Sequence, residues 1–146
     1  MSPPRPLAIG IVCYPSLGGS GVIASELAVG LAARGHAVHV FASARPGRIV
    51  PSERLRVHGV AVPDYAVFEQ PPYDLALAGK IVDVARAQPL DVLHVHYAIP
   101  HAASAHLARQ ILGAAAPRVV TSLHGTDVTG VGAHPPAATR WMPLVA

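Results

Sequence analysis

Leu7-Ala8-Ile9-Gly10-Ile11-Val12-Cys13 is a short, unbroken apolar run, and Gly18-Gly19-Ser20-Gly21 follows it within a few residues. An apolar run of this length without alternation marks a strand buried on both faces, as parallel sheets require. Beyond the glycines, Val22, Ile23, Leu27, Val29, Leu31 and the intervening alanines predict a buried helix. That helix should stop at Arg34-Gly35, a basic last turn followed by a C′ glycine. The unit strand, glycine turn, helix then recurs in looser form along the chain.

A second strand is expected over residues 37–42, a loop over 45–51, and a weaker third strand over 55–62. Residues 63–73 carry several prolines and read as irregular. Asp74 is the expected N-cap of a helix over 75–88, which Pro89 ends. A fourth strand is expected over 91–96. A helix over 102–112 should follow, with Pro100 in its first turn, and then a fifth strand over 118–123. After His124 the periodicity decays through Gly130, Gly132, Pro135 and Pro136. Strands alternating with helices give an α/β fold: a parallel sheet, helices on both faces and right-handed crossovers. Ligands of such sheets sit beyond the carboxyl ends of the strands. Chemistry is therefore expected in residues 14–21, 43–48, 96–101 and 124–129.

Composition removes several classes. The 146 residues are 51% hydrophobic and 13% charged, enough apolar material for one core and too little charge for a disordered chain. Cys13 is the only cysteine, so no disulfide framework exists. Mean hydropathy is +0.40, yet no apolar run reaches the ~18 residues of a membrane span. Prolines at positions 3, 4 and 6 interrupt the place where a signal peptide would be apolar, so a cytoplasmic protein is expected. The net charge of +3 is spread over scattered arginines, with Lys80 the only lysine and aromatics at 5%. Nucleic-acid binding needs a concentrated basic stripe, so none is expected, and no membrane partner is expected either.

Three segments could carry chemistry. Glycines at 18, 19 and 21 let a ligand approach the backbone, and the first N–H groups of the following helix favour an anion. Gly19, Gly21 and Ala24 also fit the dinucleotide fingerprint. The acidic residue expected at the end of the second strand is missing, and Arg45 stands near there; an NADP-binding oxidoreductase domain is thus an alternative. His94 and His96 share one side of a strand, and His101 and His106 follow. Such a run can hold zinc. No Asp or Glu lies among them, however, and His101 and His106 fall on different helix faces, so no metal is expected, and His94 is the natural packed core histidine. In Ser122-Leu123-His124-Gly125-Thr126-Asp127, His124 and Asp127 could act as a base and its orienter, with Ser20 or Ser122 as nucleophile. The glycine turn is not a nucleophile elbow, which counts against a hydrolase.

Five stretches together resemble the N-terminal half of the family-four retaining glycosyltransferases. They are residues 13–21, Tyr65-Ala66-Val67-Phe68, Pro71-Pro72-Tyr73-Asp74-Leu75, residues 94–102, and Leu123-His124-Gly125-Thr126-Asp127-Val128-Thr129. The resemblance runs in register from about residue 7 to about 135. It implies a GT-B fold, two Rossmann-like domains facing a cleft, with UDP-N-acetylglucosamine as donor substrate, L-malate as acceptor, and no metal or cofactor in catalysis. It implies donor contacts at Gly18, Gly19 and Gly21 and acceptor contacts at Ser20, Tyr97 and Thr126. His124 matches the histidine at the transferring sugar. Residues 1–135 are accordingly expected to be the acceptor-side domain and 136–146 a divergent or truncated tail. The donor domain is expected to be absent from these 146 residues, which leaves them inactive alone and prone to self-association.

Overall fold

The computed structural model describes residues 5–62 and 72–132. Residues 63–71 of the expected 63–73 loop, with the Tyr65–Phe68 motif, and the whole expected tail over 136–146 lie outside the described residues.

Five strands form one all-parallel sheet in the order β3-β2-β1-β4-β5. They are β1 (Ala8–Val12), β2 (Ala37–Ala42), β3 (Leu55–Gly59), β4 (Val92–His96) and β5 (Arg118–Ser122). The sequence order reverses between β1 and β4, which makes the gap beyond their carboxyl ends the topological switch point. β1 is central, pairing Ile11 with Val40 on one side and His94 on the other. That position is why it reads as a continuous apolar run.

Helix α1 (Ser20–Ala33) covers one face, where Ala24 and Ala28 pack on Ile9, Ile11, Val38 and Val40. Helices α2 (Tyr73–Ala87) and α3 (Ala103–Leu112) cover the other, packing Leu77, Ile81 and Ala105 on Val12, Phe41, Leu93 and Val95. The change of face follows from right-handed crossovers once the strand order reverses. Gly35 has φ 92 and its N–H bonds Ala32 O, the expected C′ glycine.

Four local expectations are corrected. Strand β3 stops at Gly59, which pairs with Ala42, the last residue of β2; no partner backbone continues to Val62. Asp74 does not cap α2. The helix begins two residues earlier than expected, at Tyr73 behind Pro72 at the N-cap, and Asp74 lies in its first turn, where a carboxylate suits the helix dipole. Pro100 is not in α3. Ile99 is extended (φ −119°, ψ 129°), so an irregular turn over Ala98–Ala102 delays the helix, consistent with the bias of pre-proline residues away from α. Finally, Thr126–Gly132 is helical, with Val128 N–H bonded to His124 O and the Thr129 hydroxyl to Gly125 O. Backbone bonds make that turn without the apolar periodicity used to read it.

Candidate functional site at the carboxyl ends of β1, β4 and β5

The glycine turn follows β1. Gly19, at the N-cap of α1, has φ 56° and ψ −130°, a backbone region open essentially to glycine alone. Gly21 serves packing: a Cβ there would stand 2.5 Å from Ser16 O and 3.0 Å from Tyr14 O. Its lack of a side chain lets the loop after β1 fold onto the helix start. Gly18 is exposed with open space around it. No side chain caps α1, so its first N–H groups are left for a ligand or solvent.

Ser20, 8% exposed, donates its hydroxyl to the Tyr97 phenol oxygen at 3.1 Å. Tyr97 follows β4 directly. Its N–H extends the β4–β5 pairing by bonding Ser122 O at 3.0 Å, while its φ of 78° turns the chain away from the sheet. That conformation costs a non-glycine residue on the order of 1–3 kcal/mol. The Tyr97 ring lies 5.3 Å from Tyr14, edge to face, and 4.5 Å from the His124 imidazole. Tyr14, Tyr97, Ile99, Thr126 and Asp127 line a cleft of about 280 Å³. No arginine or lysine is among these lining residues, so an anion there would depend on hydroxyl and backbone donors. A larger cleft of about 480 Å³ lies between α1 and the 48–55 segment. It is away from the strand carboxyl ends, and its charged groups, Arg48, Glu53 and Arg54, are exposed.

Asp127 has a role other than the one expected. It is 5% exposed, and its two oxygens accept from the backbone N–H groups of Ala98 (3.3 Å) and His124 (3.0 Å). It ties the loop after β4 to the loop after β5. It does not orient the His124 ring, so the base-and-orienter pair is not formed. The ring's partner is His96, whose Nδ1 lies 3.1 Å from His124 Nε2. The expected nucleophiles are engaged elsewhere: Ser20 with Tyr97, and Ser122 Oγ with His94 Nε2 at 2.8 Å.

The histidines form a stack. His94 lies on His96 at 4.7 Å and His96 on His124 at 5.3 Å between ring centroids. His96, not His94, is the buried member, at 2% exposed. Burial, then repulsion from His94, His124 and His101, pushes its pKa down to about 4. Behind it, fully buried His101 donates Nδ1–H to His96 O at 2.5 Å. His106 is exposed on α3. Among the described residues no group of three or more His, Cys, Asp or Glu could hold a metal, and no helix is long and apolar enough to cross a membrane.

The structure therefore brings Ser20, Tyr97, Thr126 and His124 to one place, with Gly18 and Gly19 in the turn leading into Ser20. Arg45 is exposed beyond β2. Sequence reasoning put Tyr14, His96 and His101 in segments expected to carry chemistry but gave none of them a place in this cluster. It also missed Asp127 as a loop tie, although an acid three residues after a turn-opening residue is the capping-box spacing.

Residues 17–145 match the Glycosyltransferase Family 4 domain. The chain is 52% identical over 132 residues to an N-acetyl-alpha-D-glucosaminyl L-malate synthase of Bacillus anthracis, covering 88% of this chain and 34% of that protein. It thus spans about a third of the relative's length. Among solved structures, a glycosyltransferase from Rickettsia africae ESF-5 superposes with a TM-score of 0.53 at 17% identity, over 80% of this chain and 29% of that one. The glycosyltransferase SnogD from Streptomyces nogalater superposes with a TM-score of 0.51 at 16% identity, over 91% and 50%. At such identities the structures speak for the fold, a Rossmann-like unit of GT-B type. The sequence matches place the chain with a glycosyltransferase family and not with the NADP-binding alternative on Gly19, Gly21, Ala24 and Arg45. On these grounds, the chain belongs to glycosyltransferase family 4.

Proposed function

We propose that this chain is the acceptor-side domain of a retaining transferase that moves N-acetylglucosamine from UDP-N-acetylglucosamine to L-malate. The observation that carries the proposal is the Ser20–Tyr97 hydrogen bond beside Thr126 and His124 at the switch point, in a chain 52% identical to a protein named for that synthesis. A cleft of about 280 Å³ suits a four-carbon diacid and is too small for a nucleotide sugar.

In this reading Ser20, Tyr97 and Thr126 hold the acceptor, and the glycine turn with the uncapped start of α1 faces the donor diphosphate. The malate hydroxyl oxygen bonds to the anomeric carbon on the face from which UDP departs. The bond from that carbon to the phosphate oxygen breaks with its electron pair, and the hydroxyl proton passes to the leaving diphosphate. His124 binds the transferring sugar and stabilises charge developing on it. Orientation is the main catalytic contribution, and well-aligned reactants gain roughly 7–11 kcal/mol from it. These 146 residues supply one side of the cleft, so by themselves they should bind malate without turning over. The chemistry needs no membrane partner, and the setting that fits it is cytoplasmic.

The test has two arms. Malate titrated into the isotopically labelled chain should shift resonances of Ser20, Tyr97 and Thr126, and succinate, which lacks the hydroxyl, should shift them less. Malate and UDP-N-acetylglucosamine together should release no UDP above background. Absence of any malate response at those residues, or equal responses to both diacids, rejects the acceptor assignment. Steady UDP release rejects the inactivity.

A further inference from the structure

His96 is nearly fully buried, and its two ring nitrogens are unequal. Nδ1 lies 3.1 Å from His124 Nε2, whereas Nε2 has no hydrogen-bond partner among the described residues. Between two neutral imidazoles one nitrogen must donate and the other accept. If His124 donated, the proton of His96 would sit on Nε2, an N–H buried with no acceptor. If His96 donates from Nδ1, what is left on Nε2 is a bare lone pair. Orphaned buried N–H groups are rarer in proteins than under-used acceptors, so the second arrangement is favoured.

His101 supplies a local precedent. Its Nδ1 faces the carbonyl oxygen of His96, which can only accept, so His101 must donate there, and its own buried Nε2 is left as a lone pair with no partner among the described residues. The same shell therefore already tolerates a bare imidazole nitrogen. A doubly protonated His96 is opposed by its burial and by the histidines around it.

We infer that His96 is a positioning residue: it donates Nδ1–H to Nε2 of His124 and holds His124 as the Nδ1–H tautomer. An unconstrained histidine favours the other tautomer, with the proton on Nε2. His124 thus offers its remaining nitrogen as a donor, able to bond a sugar hydroxyl or ring oxygen, and not as a base. The consequence for sugar transfer rests on the proposed role of His124, whereas the tautomer does not.

Long-range proton–nitrogen correlation spectra of the histidine-labelled chain, at a pH where all imidazoles are neutral, read the tautomer directly. The expected pattern is His124 protonated on Nδ1 in the wild type. In His96→Phe, His124 should move to the Nε2–H form or to a mixture. His124 protonated on Nε2 in the wild-type chain overturns the inference, and that spectrum decides even if His96→Phe does not fold. An unchanged Nδ1–H tautomer in a folded His96→Phe also overturns it. If the tautomer is as expected but His124→Ala in a complete enzyme leaves both kcat and the KM for UDP-N-acetylglucosamine unchanged, the positioning by His96 stands and the sugar-binding role of His124 fails.

Discussion

The hydroxyl of Ser20, the first residue of α1, donates to the phenol oxygen of Tyr97, the first residue beyond β4, across a separation of 77 positions in sequence and 3.1 Å in space. The bond joins the start of α1 to the loop after β4 across the switch point. A net contribution of about 1 kcal/mol is typical of such a bond. Tyr97→Phe should therefore lower unfolding stability by about 1 kcal/mol while weakening malate binding by roughly tenfold or more, since the cleft loses a hydroxyl as well. Urea denaturation and calorimetric titration check the two halves. Undiminished malate affinity would remove Tyr97 from the acceptor contacts.

Asp127 should matter more for stability than its place in a loop suggests. Its carboxylate accepts two backbone N–H groups while nearly buried. Asp127→Asn keeps the shape but turns one acceptor into a donor facing an N–H. Loss of a buried, charge-assisted bond costs on the order of 2–3 kcal/mol, and the loops after β4 and β5 should separate. Hydrogen exchange at Ala98 and His124 would then rise together. Protection unchanged at both would contradict the tie.

The three glycines of the turn should respond differently to alanine. At Gly21 a Cβ meets the Ser16 carbonyl at 2.5 Å, and overpacking against backbone costs roughly 1–3 kcal/mol. At Gly19 the cost comes from φ 56°, about 1 kcal/mol or more. At Gly18, with open space and no unusual φ, the stability change should be within about 0.5 kcal/mol. A Gly18→Ala variant that keeps its stability yet loses donor affinity in a complete enzyme would mark close approach of the ligand. Thermal melts of the three variants give the ranking.

Stability should fall as the solution becomes acid. The pKa of His39 is pushed down to about 4 by burial, then by His58 and Arg56, and that of His96 is likewise held at about 4. Unfolded, each would take up a proton near pH 6.5. Below that value the unfolded chain binds more protons, so the stability of the neutral fold is intact above pH 6.5 and is lost as the pH drops towards 4. At about 1.4 kcal/mol per pH unit for each group, the loss by pH 4 is on the order of 3 kcal/mol per histidine as an upper figure. Urea midpoints at pH 7.5, 6.5, 5.5 and 4.5 test this. The slope should lessen in His39→Phe, and a midpoint that does not move between pH 6.5 and 4.5 would refute it.

By itself the sequence determined the α/β class, the five parallel strands and the placing of chemistry beyond their carboxyl ends. These follow from features local in the chain: the apolar run of β1, the stop at Gly35, and the glycine turn before α1. Ser20, Tyr97, Thr126 and His124 were singled out by the family resemblance, and all four lie in segments that follow strands, where the topology favours a ligand. The tertiary structure alone decided how those residues are partnered. Nothing local distinguishes His94 from His96, because both point to the same side of β4. Their surroundings differ because His96, at the strand end, is stacked between His94 and His124, with the His101 ring bonded to its own carbonyl oxygen. Asp127 could have oriented a ring or bonded a backbone, and the choice was made by the arrival of the Ala98 N–H from the loop after β4, 29 positions away. Hydrogen-bond partners come from chain segments that only folding brings together, and a linear pattern records which groups are present but not which of them meet.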